Sequence, residues 1–436
     1  MNFELNRNLL ENIFLCFGWI VIWFSIGITP DYLINYKFSL SFELFNFLRG
    51  VAPLIYCILL MCYLIFKFKD RFDLKKNIIL ILILIYFFFQ LTGIFYNLAT
   101  LKNIYYLVLG LCTVILIITY IFNDFNPNYF KYISVIFIFI LFLNFLGPQI
   151  KNFLHTPLTF YQQWGIASEK GTFINSLNIS YIYPNILGFS RYTFVLFLFL
   201  FFLKKNNLFL NIIKIFLVSI IFLLQARATI LIYLLFILLH PFLYEKFNYR
   251  TYLKKIFLFI ILPVIIFLLA NMAKTEFFFK KELILRNDIE VKHFEEKGAV
   301  VIRPVIEGNY TSDRIKDWKM FIHDNKKKIF GKGPQADRVI YNKTASNAWI
   351  YALVCSGLFG FIFFLILTLY SIYLSLKFSL LYRNQEHYYS HLYHPTICLT
   401  FLARAFFETS FGVFGIDFIL FFFSLFTIQK CLKSEK

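Results

Sequence analysis

The chain has 436 residues, 60% of them hydrophobic and 61 of them Phe, with a formal net charge of +19. Repeated apolar runs of about twenty residues exclude a soluble globule and read as membrane spans. The basic excess does not call for nucleic acid, because Lys and Arg gather in alternate short loops, the positive-inside pattern of a polytopic membrane protein.

Taken in order, the spans fall at about 10–28, 44–66, 77–96, 104–122, 132–147, 186–203, 208–224, 228–243, 256–270, 347–370, 392–410 and 412–429. This predicts an all-α membrane protein of about twelve transmembrane helices, with 1–436 as a single polytopic domain. One set of short loops collects Arg7, Lys67, Lys69, Arg71, Lys75, Lys76, Lys204, Lys205, Lys246 and Arg250, whereas the alternate set holds Lys37, Lys102, Lys151, Lys170 and Arg227. Both termini are therefore expected in the cytoplasm, and the first span, with no small-residue cleavage site after it, is expected to be retained. The seven Cys are scattered and none lies in the long polar loop at 271–346, which supports neither a disulfide framework nor a Cys-based metal site.

Two segments on the opposite side are long, about 148–185 and about 271–346. From Lys274 to Lys343 the second carries sixteen basic and eleven acidic residues, a near balance that does not block export. It ends in a short amphipathic helix: Ser312 as N-cap, Asp313 in the first turn, Lys326, Lys327 and Lys328 in the last, and Gly331 and Gly333 as stops. Ile315, Trp318, Phe321, Ile322 and Ile329 fall near one face. A Trp- and Lys-bearing helix beside a span is expected to lie along the lipid interface, with membrane lipid as a partner.

Ionisable residues near membrane depth are costly, and each is a candidate for function. Arg49, Arg191, Arg227 and Arg404 recur at the outer ends of spans, and Arg314, one turn before Trp318, joins them on the same side. Each alone could snorkel or bond a neighbouring helix. As a set they suit an anionic ligand half in lipid, such as a polyprenyl diphosphate, whose charge they would neutralise as it leaves. No convergent carboxylate pair demands a metal. Glu169, Asp313 and His323 are candidates for a general base, although solvation is the ordinary state of loop residues such as these; Glu307 and Asp337 are read as solvated, and Glu408 as a partner for Arg404 one turn away. P-loop, GxSxG, HExxH and dinucleotide signatures are absent. A polysaccharide exporter or lipid flippase would need a polar path through the spans, yet the clearest mid-span polar residues are only Gln90 and Thr92. A non-catalytic scaffold leaves the same-side Arg set without a use.

Three stretches, in order, resemble the bacterial O-antigen ligase and O-antigen polymerase superfamily of polytopic glycosyltransferases. Gly171-Thr172-Phe173 with Pro184-Asn185-Ile186-Leu187-Gly188 is similar to one motif, and Gln225-Ala226-Arg227-Ala228-Thr229 to a second. Ser312-Asp313-Arg314, Trp318, Gly331-Lys332-Gly333 and Asn347 to Gly360 are similar to a third. The resemblance covers about 150–370. It implies a GT-C-like enzyme of the bacterial inner membrane whose long loop is periplasmic. Such an enzyme would transfer glycan from an undecaprenyl-diphosphate-linked oligosaccharide without metal, cofactor or nucleotide sugar. Arg227 and Arg314 match positions implied to act on the diphosphate, and Trp318 and Asn347 match the same block; Arg49, Arg191 and Arg404 fit by placement. Where ligases carry a His before the Asn, this chain has Ser346, a poor base without a partner. The expectation is therefore a polymerase, with a chain-length regulator as an implied partner and a ligase acting on lipid A-core as the alternative.

Overall fold

The computed structural model describes residues 11, 13–15, 40–67, 77–96, 101–122, 186–203, 208–224, 226–244, 248–269, 314–383, 385 and 391–434. Among these the chain is helical and holds no strand. Four helices are long and apolar enough to cross a membrane, with Leu54–Phe66, Tyr106–Ile121 and Leu208–Leu223 as shorter apolar ones. The described helices fall into two compact units, one taking 40–122 and 314–434, the other 186–269.

The first unit opens with α1 (Leu40–Lys67), α2 (Ile78–Tyr96) and α3 (Leu101–Phe122). The second consists of α4 (Ile186–Phe201), α5 (Leu208–Leu223), α6 (Arg227–Tyr244) and α7 (Tyr249–Leu269). Its core is aromatic: Phe197, Phe201, Tyr233, Phe236 and Phe259 meet largely edge to face, the geometry the ring quadrupole favours. Within α7 the turn at Phe257–Ile261 widens to a π-helix, and the Phe259 carbonyl accepts from the Tyr233 hydroxyl.

The first unit continues with α8 (Arg314–Asn325), a single turn α9 (Ala336–Val339), α10 (Ala348–Tyr382), α11 (Tyr393–Arg404) and α12 (Ile416–Ser434). α10 lies along α2, packs against α8, and touches α11 and α12. Two expectations need correction here. The span read at 347–370 continues to Tyr382 and is broken at Gly357 (φ 73°, ψ −171°). The helix read at 392–410 stops at Arg404, where Ala405 to Glu408 turn back on it through Phe407 N–H and Glu408 N–H to Arg404 O.

The break at Gly357 has a visible cause. Interrupting an α-helix orphans carbonyls on one side and N–H groups on the other. The loop after α8 takes up both: Lys332 N–H donates to Val354 O (2.9 Å), Gly333 N–H to Cys355 O (3.0 Å), and Leu358 N–H to Lys328 O (2.9 Å). Backbone can come this close only where side chains are missing. A Cβ on Gly331 would meet Cys355 O, one on Gly357 would meet Ile329 O, and one on Gly93 of α2 would meet Gly333 N, all inside van der Waals contact. Three chain segments thus meet backbone to backbone. The two glycines expected only to stop α8 dock its loop onto a broken span.

Exposure along α10 changes at the break. Residues 351–357 are all buried, whereas Leu358, Phe359, Ile362, Leu365, Ile366 and Leu369 are exposed and apolar on the turns below. A protein-covered arm before Gly357 is therefore followed by an arm with an exposed apolar stripe.

Candidate functional site

α8, the loop 326–347 and the turn 405–408 surround the start of α10. Phe321 and Asn325 bury one side of α8, with Asn325 Nδ2 donating to Phe321 O (2.8 Å) and to the Tyr341 hydroxyl (3.1 Å). Burial raises the Tyr341 phenol above its ordinary pKa. Arg314, half-buried in the first turn, donates from Nη1 to Phe407 O (3.2 Å). Asn347 caps α10: its Oδ1 accepts from Trp349 N–H and Ile350 N–H, both at 3.0 Å, while its Nδ2 donates to Phe406 O (3.3 Å). Ala348 N–H donates to Ala405 O (2.9 Å), and the Trp349 and Phe406 rings lie 4.4 Å apart. The turn 405–407 is thus gripped at three successive carbonyls by α8 and by the cap of α10.

One alanine joins these pieces. Ala345 is fully buried; its carbonyl accepts from Trp318 Nε1 (2.7 Å) and its N–H donates to Asp337 Oδ2 (2.9 Å). The clamp fixes Trp318, one turn after Arg314, to the segment leading into Asn347. On either side of it Asn342 and Ser346 take left-handed conformations (φ 52° and 47°), which a loop tolerates only when its surroundings hold it.

Asp337 is fully buried, not solvated as the sequence suggests, and its Oδ1 has no hydrogen-bond partner among the described residues. Loss of water pushes its carboxyl above the usual carboxylate range, opposed by the Ala345 amide and the Arg338 charge. A raised carboxyl pKa means the folded protein holds the proton more tightly than the unfolded chain. The protonated state's contribution is then whole below the unfolded Asp pKa and is lost as pH rises toward the folded one. Asp337→Asn, which can still accept from Ala345, is expected to flatten this fall, and Asp337→Ala to destabilise at every pH. Thermal midpoints of the three proteins across the acid-to-neutral range measure both.

The remaining predicted residues are placed as follows. Arg404 is fully enclosed; its Nη2 forms the expected ion pair with Glu408, and its guanidinium lies over the Phe401 ring at 6.0 Å. Arg49 lies on α1, its side chain outside the described residues. His323 has 79% of its side chain exposed and pairs with Asp324 at 3.3 Å. Glu169 and Asp313 lie outside the described residues. In the second unit Arg227 is the first residue of α6 and exposed, and Arg191 is half-buried near the start of α4. Ser190 and Thr229 join those helices by a hydroxyl–hydroxyl bond of 3.1 Å, which brings the neighbourhoods of Arg191 and Arg227 together. The five arginines thus divide into Arg49, Arg314 and Arg404 in one unit and Arg191 and Arg227 in the other.

Sequence reasoning missed the carbonyls of Ala405, Phe406 and Phe407, the burial of Asp337, and Gly93. Of these only Gly93 carried a signal, since a lone glycine inside a helical pattern often marks a close backbone approach. Among the described residues no three His, Cys, Asp or Glu side chains gather into a metal-holding group. A guanidinium has five N–H donors. With Nη1 on Phe407 O, Arg314 has others to offer an anion beside the start of α10. Comparison with protein-family models matches none of them, and comparison with characterised proteins gives no match either.

Proposed function

We propose that this chain is a membrane-embedded glycosyltransferase that joins undecaprenyl-diphosphate-linked repeat units into a surface polysaccharide. The observation that carries the reading is the seat of Arg314, a half-buried cation tied to Phe407 O beside the cap of a membrane-spanning helix. A cation held beside that cap is placed to meet an anion that a lipid presents above the membrane surface. In this reading Arg314 neutralises the diphosphate as it departs, and Trp318 and Asn347 hold the helix and the turn on either side of it. Arg227, Arg191, Arg404 and Arg49 keep the diphosphate roles that the resemblance and their placement in the sequence suggest.

The reaction asks little else of the protein. An acceptor hydroxyl attacks the anomeric carbon, the bond to the diphosphate breaks with its electron pair, and the hydroxyl proton passes to a base. Positioning and leaving-group neutralisation supply the rate. The base is drawn from Glu169, Asp313 and His323. The reading includes about twelve spans in a GT-C-like arrangement, both termini in the cytoplasm and the 271–346 loop in the periplasm of a bacterial inner membrane. Ser346 in place of the ligase His favours the polymerase.

A deletion strain tests this on a polysaccharide gel. A polymerase leaves a single repeat unit on the lipid anchor. Polymer stranded on undecaprenol with a bare anchor means a ligase, and an unchanged ladder overturns both.

A further inference from the structure

We propose that the corner Lys326–Phe330 is a seat for the acidic headgroups of the bilayer, fixing the lipid–water boundary at Gly357 rather than at the start of α10. This stands apart from the enzymatic reading, since it concerns how the first unit sits in lipid.

Helix lengths give the first support. The lower arm of α10, Leu358–Tyr382, is 25 residues, about 37 Å at about 1.5 Å per residue, and spans a hydrocarbon core of about 30 Å by itself. Counted from Ala348, the 35 residues would run to about 52 Å and overshoot that core by about 22 Å. The neighbouring helix gives the same level: Gly93, which abuts Gly331 and Gly333, is three residues from the end of α2 at Tyr96. Burial gives the second support. Above Gly357 the arm is covered by protein, whereas from Leu358 (37% exposed) and Phe359 (46%) downward its outer face is bare and apolar.

The corner itself supplies the third. Leu358 N–H on Lys328 O pins it at the level of the break. Ile329 (49% exposed) and Phe330 (36%) extend the apolar stripe upward, Phe330 meeting Phe89 at 6.0 Å and Phe89 meeting Phe359 at the same distance. Lys326, Lys327 and Lys328, all exposed, precede them with no acid among the five residues. The nearest acid before them, Asp324, is engaged by His323. An apolar ledge continuous with a lipid-facing stripe, under three adjacent ammonium groups, matches the change from acyl chain to phosphate, and juxtamembrane lysines are drawn to acidic lipid.

The test places a spin label at Ile329→Cys in the full chain, with the signal of the parent protein subtracted. The vesicles are phosphatidylcholine alone or mixed with phosphatidylglycerol. The label is expected to collide with oxygen more than with an aqueous nickel chelate, the reverse of a label at Thr344→Cys, which is exposed on the loop above. Phosphatidylglycerol is expected to slow its motion, and Lys326→Gln/Lys327→Gln/Lys328→Gln to abolish that response while leaving the label's depth unchanged. A label at 329 as open to the chelate as the one at 344 overturns the proposal and gives the face to a protein partner. A phosphatidylglycerol response that survives the triple substitution overturns it too.

Discussion

Gly357→Ala is expected to cost about 5 kcal/mol, enough to remove most of the folded protein. The φ of 73° with ψ of −171° belongs to a region that is essentially glycine-only, at about 1–3 kcal/mol for another residue. The new Cβ would also strike Ile329 O, Phe330 C and Gly331 N, all backbone and unable to swing aside. Separating the segments to relieve the clash sacrifices the bonds from Lys332, Gly333 and Leu358, each contributing about 1 kcal/mol. Such a total rivals the whole stability of an ordinary domain. Gly110→Ala in α3 is the control: its Cβ would meet Phe87 and Phe414 at 3.2 and 3.3 Å, and those are side chains that can yield. Monodisperse yield and thermal midpoint in detergent should separate the two variants widely. Equal behaviour would mean that the junction does not constrain the fold.

The same junction shows which parts of the structure were legible in the sequence. Helical stretches with lipid-facing sides follow from apolar content alone, and 78–96, 208–223 and 227–244 lie within a residue or so of where hydropathy puts them. The capping role of Asn347 emerged only from the structure, whereas the amphipathic α8 was readable because its signal is local, one periodicity. The break at Gly357 was not. It sits in the middle of an apolar run, and its stabilising partners, Lys328, Lys332 and Gly333, are 24–29 residues earlier. Asp337 illustrates the opposite failure. Its neighbours Arg338 and Asn342 are exposed, so composition called for a solvated loop, whereas burial depends on Ala345 folding back over it. For the candidate site, the positions of Arg314 and Arg227 at helix ends were legible. That Arg314 and Asn347 grip adjacent carbonyls of one turn, 93 and 59 residues away, depends on tertiary contacts that no spacing encodes.

Arg314→Ala should lower turnover by 10²–10³-fold, about 3–4 kcal/mol of transition-state stabilisation, with the protein still folded. In the proposed reaction charge on the diphosphate would grow as the glycosidic bond breaks, so a cation fixed beside it would bind the transition state more tightly than the ground state. The loss should therefore fall on kcat and leave KM nearly unchanged. Arg314→Lys separates charge from shape. An ammonium retains the charge but cannot hold Phe407 O and two phosphate oxygens in one plane, so it should recover only part of the activity. Trp318→Phe removes the Nε1–Ala345 O bond while leaving the Arg314 side chain intact, and loosens the helix that aims it. It should reduce kcat less than Arg314→Ala does, because the cation remains but its position is no longer fixed. Single-turnover transfer from a purified lipid-linked donor, read with thermal midpoints of each variant, decides the matter. Full activity in Arg314→Ala would remove the arginine from the chemistry. A KM increase with kcat intact would make it a docking residue for the donor instead.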